Sequence, residues 1–464
     1  MSKFCSAWRA RAPRLSRRRA AVFGCSLALL SFLTNQAFAQ ELQLLRDTET
    51  ERLLKSYEDP LAKADGLDPQ AIHLYLVNDN SVNAFVAEGQ NMFIQTGMIM
   101  FAKTPNELIG VMAHESGHIK AGHLSRGAQA MSKAEIPMIL SMIVGLAAMA
   151  MGAGEAGMAV MMAGQQIAEG QFMAFSRIQE ATADQIALKA LAATHQSPEG
   201  LLHTFQRFAA EEAMAAYRPD PWILSHPVGQ DRVALLETEV DASPYKDVKD
   251  SPQATHAFLM MQAKLEGYVL PTRNVFNRFP LTDTSEQARY ARAMAYSRLP
   301  DFKKALTEID SLIKDEPRNP YFYEVLGQIY VNMAKPELGI PAFQKSVDLL
   351  PDAPQLRVGL AAAELATEQA AEAKPALGNL KRASLIENDD PFTWYLTAQA
   401  YSDLNNQPMA DLSTAEQMYA IGAYDKAALF ARRAQRGLTQ GTIDWLRAGD
   451  IMASASIGKK ASER

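Results

Sequence analysis

His114 and His118 stand four residues apart in the run His114-Glu115-Ser116-Gly117-His118. On a helix that spacing puts both imidazoles on one face, where together they can grip one metal ion. Glu115, beside the first histidine, is placed to take a proton from a water activated by that ion. Pro105-Asn106-Glu107, followed by Leu108-Ile109-Gly110-Val111-Met112-Ala113, reads as the start and apolar body of such a helix. Gly117 lets its backbone pack closely against a neighbour. A bare His-Glu-x-x-His also arises by chance on helices that bind nothing, so the motif needs support from elsewhere.

Two later segments supply it. Gln179-Glu180-Ala181-Thr182-Ala183-Asp184 sets two carboxylates one helical turn apart. Glu180 can complete a His2Glu site with water in the fourth position, and Asp184 can accept a hydrogen bond from the second ring nitrogen of a ligand histidine. A solvated acidic face would carry the same residue types, but Ile186, Leu188 and Leu191 argue for a largely buried helix. Ser225-His226-Pro227 then precedes Arg232. His73, His195, His203 and His256 are isolated and read as structural or exposed. His123 follows His118 by five residues, off the ligand face.

These three blocks, in this order, resemble the zinc peptidase family of HtpX and the CaaX prenyl protease. The resemblance implies peptide hydrolysis with one Zn2+ per chain, His114, His118 and Glu180 as ligands, Glu115 as base and Asp184 as an orienting group. It extends upstream, where Asn83-Ala84-Phe85 and the segment from Asn91 to Met98 look like the strand region before that family's active-site helix. In such enzymes an edge strand holds substrate in extended form by main-chain hydrogen bonds, which makes Asn91, Phe93 and Ile94 candidate substrate-binding residues. In related members the histidine of the His-Pro motif can close the zinc as a fourth ligand. Carried to His226, this implies a latent site that must open before water binds. A rival role has His226 steadying an oxyanion beside Arg232. The sequence leaves both open.

The elements that must position these groups are expected as an α+β zincin-like metalloprotease domain over 40–240, followed by an all-α tetratricopeptide-repeat solenoid over 255–464. A polar, proline-marked linker is expected at 241–254. The second half repeats with a period of 34 residues: Tyr323, Leu326, Gly327, Tyr330, Phe343 and Pro351 keep the repeat's spacing, and Ala293, Tyr296, Ala305, Ile309 and Pro317 stand one period earlier. Trp394, Ala398 and Tyr401 open a further match, while 356–385 matches only in part. Solenoids of this kind bind peptide or protein in a concave groove, so this half points to a partner and carries no catalysis.

Residues 1–39 read as an export signal: seven basic residues without an acid, an apolar run from Ala20 to Leu33, and Ala37-Phe38-Ala39 before Gln40. Both cysteines, Cys5 and Cys25, fall inside it, so the remainder needs no disulfide in an oxidising compartment, and a bacterial periplasm fits. The whole chain carries −6 and the leader +7, which leaves the rest near −13 and argues against nucleic acid. Residues 136–167 form an apolar stretch rich in Met, Ala and Gly, interrupted by Glu155. It is expected as a helical hairpin beside the active site that touches a membrane peripherally or a substrate, with an integral span as the alternative. Members of the resembled family with a signal in front and repeats behind imply, as partners, misassembled outer-membrane proteins and the β-barrel assembly machinery. Two rivals stand beside that reading: an integral-membrane quality-control protease, and a largely non-catalytic chaperone or scaffold.

Overall fold

The computed structural model describes residues 43–87, 89–123, 141–142, 144, 154–214 and 226–462. The leader expected at 1–39 and most of the first arm of the apolar hairpin lie outside the described residues. Among the described residues, no helix is long and apolar enough to cross a membrane.

The N-terminal half opens with β1 (Leu44–Leu45) and α1 (Thr48–Ala64). Asp47 caps α1 by accepting from the Thr50 backbone N–H at 2.8 Å, with Glu49 and Glu51 in the first turn where the helix dipole favours acids. β2 (His73–Val77), β3 (Ala84–Ala87) and β4 (Asn91–Gln95) follow, and the four strands pair in the order β1-β2-β4-β3. β4 is parallel to β2 and antiparallel to β3. One face of the sheet turns Leu76, Met92 and Ile94 into the core. The other carries an aromatic row in register across three strands: Phe93 stacks on Tyr75 and on Phe85, each at 4.9 Å.

After the short α2 (Thr96–Phe101) comes α3 (Pro105–Ala121), the helix that carries His114 and His118. Thr104 caps it by accepting from the Glu107 N–H, and Pro105 sits in the first turn, where no intrahelical donor is needed. α4 (Gly154–Ala193) carries Glu180 and Asp184; α5 (Glu199–Met214) and α6 (Gln230–Asp241) complete the domain. The core joins α1, the sheet, α3, α5 and α6 through residues such as Leu54, Leu61, Ile94, Met98, Leu108, Met112, Leu201 and Phe205.

From Pro252 onward the chain is helical hairpins. α7 (Pro252–Val269) begins inside the stretch expected as linker, and its Phe258, Met261 and Leu265 sit in the core of the N-terminal domain. α8 (Thr272–Arg278), α9 (Glu286–Arg298), α10 (Phe302–Asp315), α11 (Pro320–Asn332), α12 (Pro336–Leu349), α13 (Pro354–Ala366) and α14 (Ala373–Ile386) come next. α15 (Pro391–Asp403), α16 (Gln407–Ala420), α17 (Tyr424–Gly437) and α18 (Ile443–Ser462) end it. Each helix packs on the next, and small residues such as Ala293, Ala305, Ala427 and Ala431 lie buried where the helices touch. The architecture is an N-terminal domain with a small sheet, followed by a tetratricopeptide-type solenoid.

Candidate metal centre

Two helices far apart in sequence meet at this site. Where α3 passes α4, a Cβ on Gly117 would lie 2.7 Å from the Ala183 carbonyl oxygen, so only glycine allows the approach. That contact sets Glu180 and Asp184, on either side of Ala183, against the two histidines of α3. His226 arrives from the segment before α6.

One donor atom each from His114, His118, Glu180 and His226 lies within 4.8 Å of all the others, and all four residues are buried. His114 Nε2 is 3.0 Å from His118 Nε2 and 3.4 Å from His226 Nδ1. Glu180 Oε2 is 3.3 Å from His114 Nε2, and Oε1 is 3.6 Å from His118 Nε2. His226 Nδ1 is 3.1 Å from both Glu180 oxygens. Around a tetrahedral ion with bonds of about 2.0–2.2 Å, neighbouring donors stand roughly 3.3–3.6 Å apart. The spacing and the nitrogen and carboxylate donors therefore fit zinc.

A second layer fixes the rings. His114 Nδ1 lies 2.9 Å from Asp184 Oδ1, leaving Nε2 for the centre. His118 Nδ1 lies 2.9 Å from His123 Nδ1, which does the same for the second ring. Arg232 donates to both Asp184 oxygens, at 2.7 and 2.8 Å, and lies 3.0 Å from Glu180 Oε2. Its guanidinium also stacks over Phe205 at 4.5 Å. Glu115 is buried behind the cluster, with Oε1 3.5 Å from His226 Nε2.

The charges follow from this packing. Burial would lower His114, but hydrogen bonds to Asp184 and Glu180 outweigh it and lift its pKa to about 9. Burial and the neighbouring His114 push His118 strongly down. Burial would raise Glu180 and Asp184. Hydrogen bonds from His114 and His226 to Glu180, and from Arg232 and His114 to Asp184, instead hold both below the usual carboxylate range. The site thus offers ionised carboxylates to a cation.

The structure brings His114, Glu115, His118, Glu180, Asp184, His226 and Arg232 into one cluster. Asn91, Phe93 and Ile94 lie elsewhere, on β4. That strand has a partner on both sides, so its main chain is already paired and is no edge for an incoming peptide. Among the described residues the sheet's edges are the two-residue β1 and β3, and β3 packs beside α3. His123 is the functional residue that helical spacing missed.

Residues 47–240 match Peptidase family M48. The chain is similar to the beta-barrel assembly-enhancing protease of Escherichia coli K12, 24% identical over 382 residues, which cover 81% of this chain and 76% of that one. It is also similar to a putative beta-barrel assembly-enhancing protease of Vibrio cholerae, 25% identical over 80% of this chain and 76% of that one. The metalloprotease LoiP of Escherichia coli K12 is 24% identical over 185 residues, 40% of this chain and 69% of that one. The segment that matches Peptidase family M48 contains all four clustered donors, and the helical repeats follow it.

Proposed function

We propose that the chain is a zinc-dependent endopeptidase of the bacterial periplasm. In this reading it hydrolyses misassembled outer-membrane proteins and assists β-barrel assembly through its repeat half. The observation that carries the chemistry is the convergence of His114, His118, Glu180 and His226 with Glu115 directly behind them. Zinc held there supplies Lewis acidity, making a water acidic and a peptide carbonyl electrophilic. Glu115 takes the proton from the attacking water and passes it to the departing amine. Asp184 and His123 hold the ligand rings in place. Arg232 is already committed to Asp184 and Glu180, so it steadies the carboxylates and not an oxyanion. His226 lies within ligand range, which supports a resting state closed by a fourth protein ligand. Substrate would lie extended along β3, the edge strand beside α3. The substrate class and the periplasmic site rest on the similarity to the beta-barrel assembly-enhancing proteases.

The test is cleavage of a fluorescently labelled unfolded polypeptide by the purified chain. Cleavage should stop with chelator and return with zinc. Glu115→Gln should keep the metal but lose about 10²–10⁴-fold in rate. His226→Ala should cleave faster than the parent if His226 closes the site. Cleavage unchanged by Glu115→Gln would overturn the mechanism. A Glu115→Gln chain that supports every cellular function would favour the scaffold reading.

A further inference from the structure

We propose that His256, Glu286 and Glu316 form a second divalent-cation site, taking Zn2+ or an ion of like chemistry, that ties three helices of the repeat half together. His256 lies in the first half of α7, Glu286 opens α9, and Glu316 caps the end of α10. One donor atom from each lies within 4.8 Å of the other two. His256 Nε2 is 3.5 Å from Glu286 Oε2 and 3.6 Å from Glu316 Oε1.

Those distances are long for an N–H···O bond, which favours about 2.7–3.2 Å. They match the donor-to-donor edge of a tetrahedral zinc site, roughly 3.3–3.6 Å. The cluster at His114 overlaps that range, running from 3.0 to 3.6 Å. The second oxygen of Glu316 accepts from Asn319 Nδ2 at 3.0 Å, which orients the carboxylate and leaves Oε1 turned to His256. Among the described ion pairs, neither Glu286 nor Glu316 has a lysine or arginine partner, so two carboxylates share one imidazole.

The side chains of His256, Glu286 and Glu316 are 42%, 29% and 38% exposed, which gives an ion a path in and room for waters to complete its shell. An open surface depression lined by Glu316, Arg318 and Asn319 adjoins the Glu316 side. Without an ion, such a half-exposed cluster contributes little to stability. With one, three helices are cross-linked. Because α7 also sits in the core of the N-terminal domain, the ion would stiffen the junction between the two halves.

The experiment is elemental analysis of the full chain after equilibration with zinc buffered in the micromolar range and removal of unbound metal. Two ions per chain are expected, falling to one in His256→Ala and to one in Glu180→Gln, with the separate losses marking separate sites. Added zinc should raise the melting temperature of Glu180→Gln but not of the double variant Glu180→Gln/His256→Ala. If His256→Ala fails to fold, Glu316→Gln removes only a half-exposed carboxylate and gives the same reading. Equal metal content in the parent and in whichever of these variants folds would overturn the second site.

Discussion

At the scale of single residues, His118 presents Nε2 to the centre because His123 holds its Nδ1. Losing an outer partner of this kind typically costs 10–100-fold in metal affinity. His123→Ala should therefore weaken zinc binding by about that factor, read by competition with a chromogenic chelator. Unchanged affinity would mean that packing alone orients His118. That His114 pairs with His118, and Glu180 with Asp184, was legible because spacing within one helix turn fixes which side chains share a face. His123 was not, because that logic stops where the helix stops. α3 ends at Ala121, and Gly122 takes a left-handed φ of 64° that turns His123 back toward the ring it supports. Nor could spacing show that Arg232 grips Asp184, since 48 residues separate them and only the tertiary fold joins them.

At the scale of elements, α1 packs against α3 with Glu58 fully buried. Burial lifts its pKa to about 8, against the smaller opposing pulls of the Ser116 hydroxyl and Lys55. Between an ordinary value of 4.5 and about 8, the folded chain keeps a proton that the unfolded chain has released. Stability contributed by this group is therefore full at lower pH and drains away as pH rises through that window. Glu58→Gln should be nearly neutral at pH 5 and stabilising at pH 8, on the order of a few kcal/mol, as read from urea unfolding midpoints. Equal midpoint shifts at both pH values would contradict it. Helices were the readable elements: α7, α9, α11 and α13 begin at Pro252, Glu286, Pro320 and Pro354, on the 34-residue period. The weak match over 356–385 has a local cause. The α13–α14 connection runs from 367 to 372, whereas only 333–335 join α11 to α12. Strand order was hidden because β2 pairs with β4 across an intervening strand, and the sequence of one strand does not name its neighbour.

At the scale of the whole molecule, a buried charge network joins the start of the chain to the repeats. Lys264 on α7 lies 2.5 Å from Asp47, 3.0 Å from Glu324 and 3.6 Å from Glu49, and the Tyr290 hydroxyl donates to Glu49 at 2.9 Å. Arg46 extends the junction by bridging Glu51 and Glu387. Lys264→Ala would strand three acids in a buried setting, where removing one partner costs about 3–5 kcal/mol. A loss of that size in urea unfolding is expected; a loss below about 1 kcal/mol would mean water already screens the acids. A lysine in an amphipathic helix reads as surface, so residue pattern alone does not signal that the two halves share a wall.

That shared wall has a consequence in time. The ribosome releases the chain from its N-terminus, and domains usually fold as their last segment emerges. Here the family match ends at residue 240, yet Phe258, Met261 and Leu265 still have to arrive, as does Gln262, whose amide nitrogen lies 2.7 Å from both the Ile99 and Ala102 carbonyl oxygens. A nascent chain that already holds all four clustered donors therefore still has an open core. The fold delays a finished donor cluster until the first helix of the repeat half has been made.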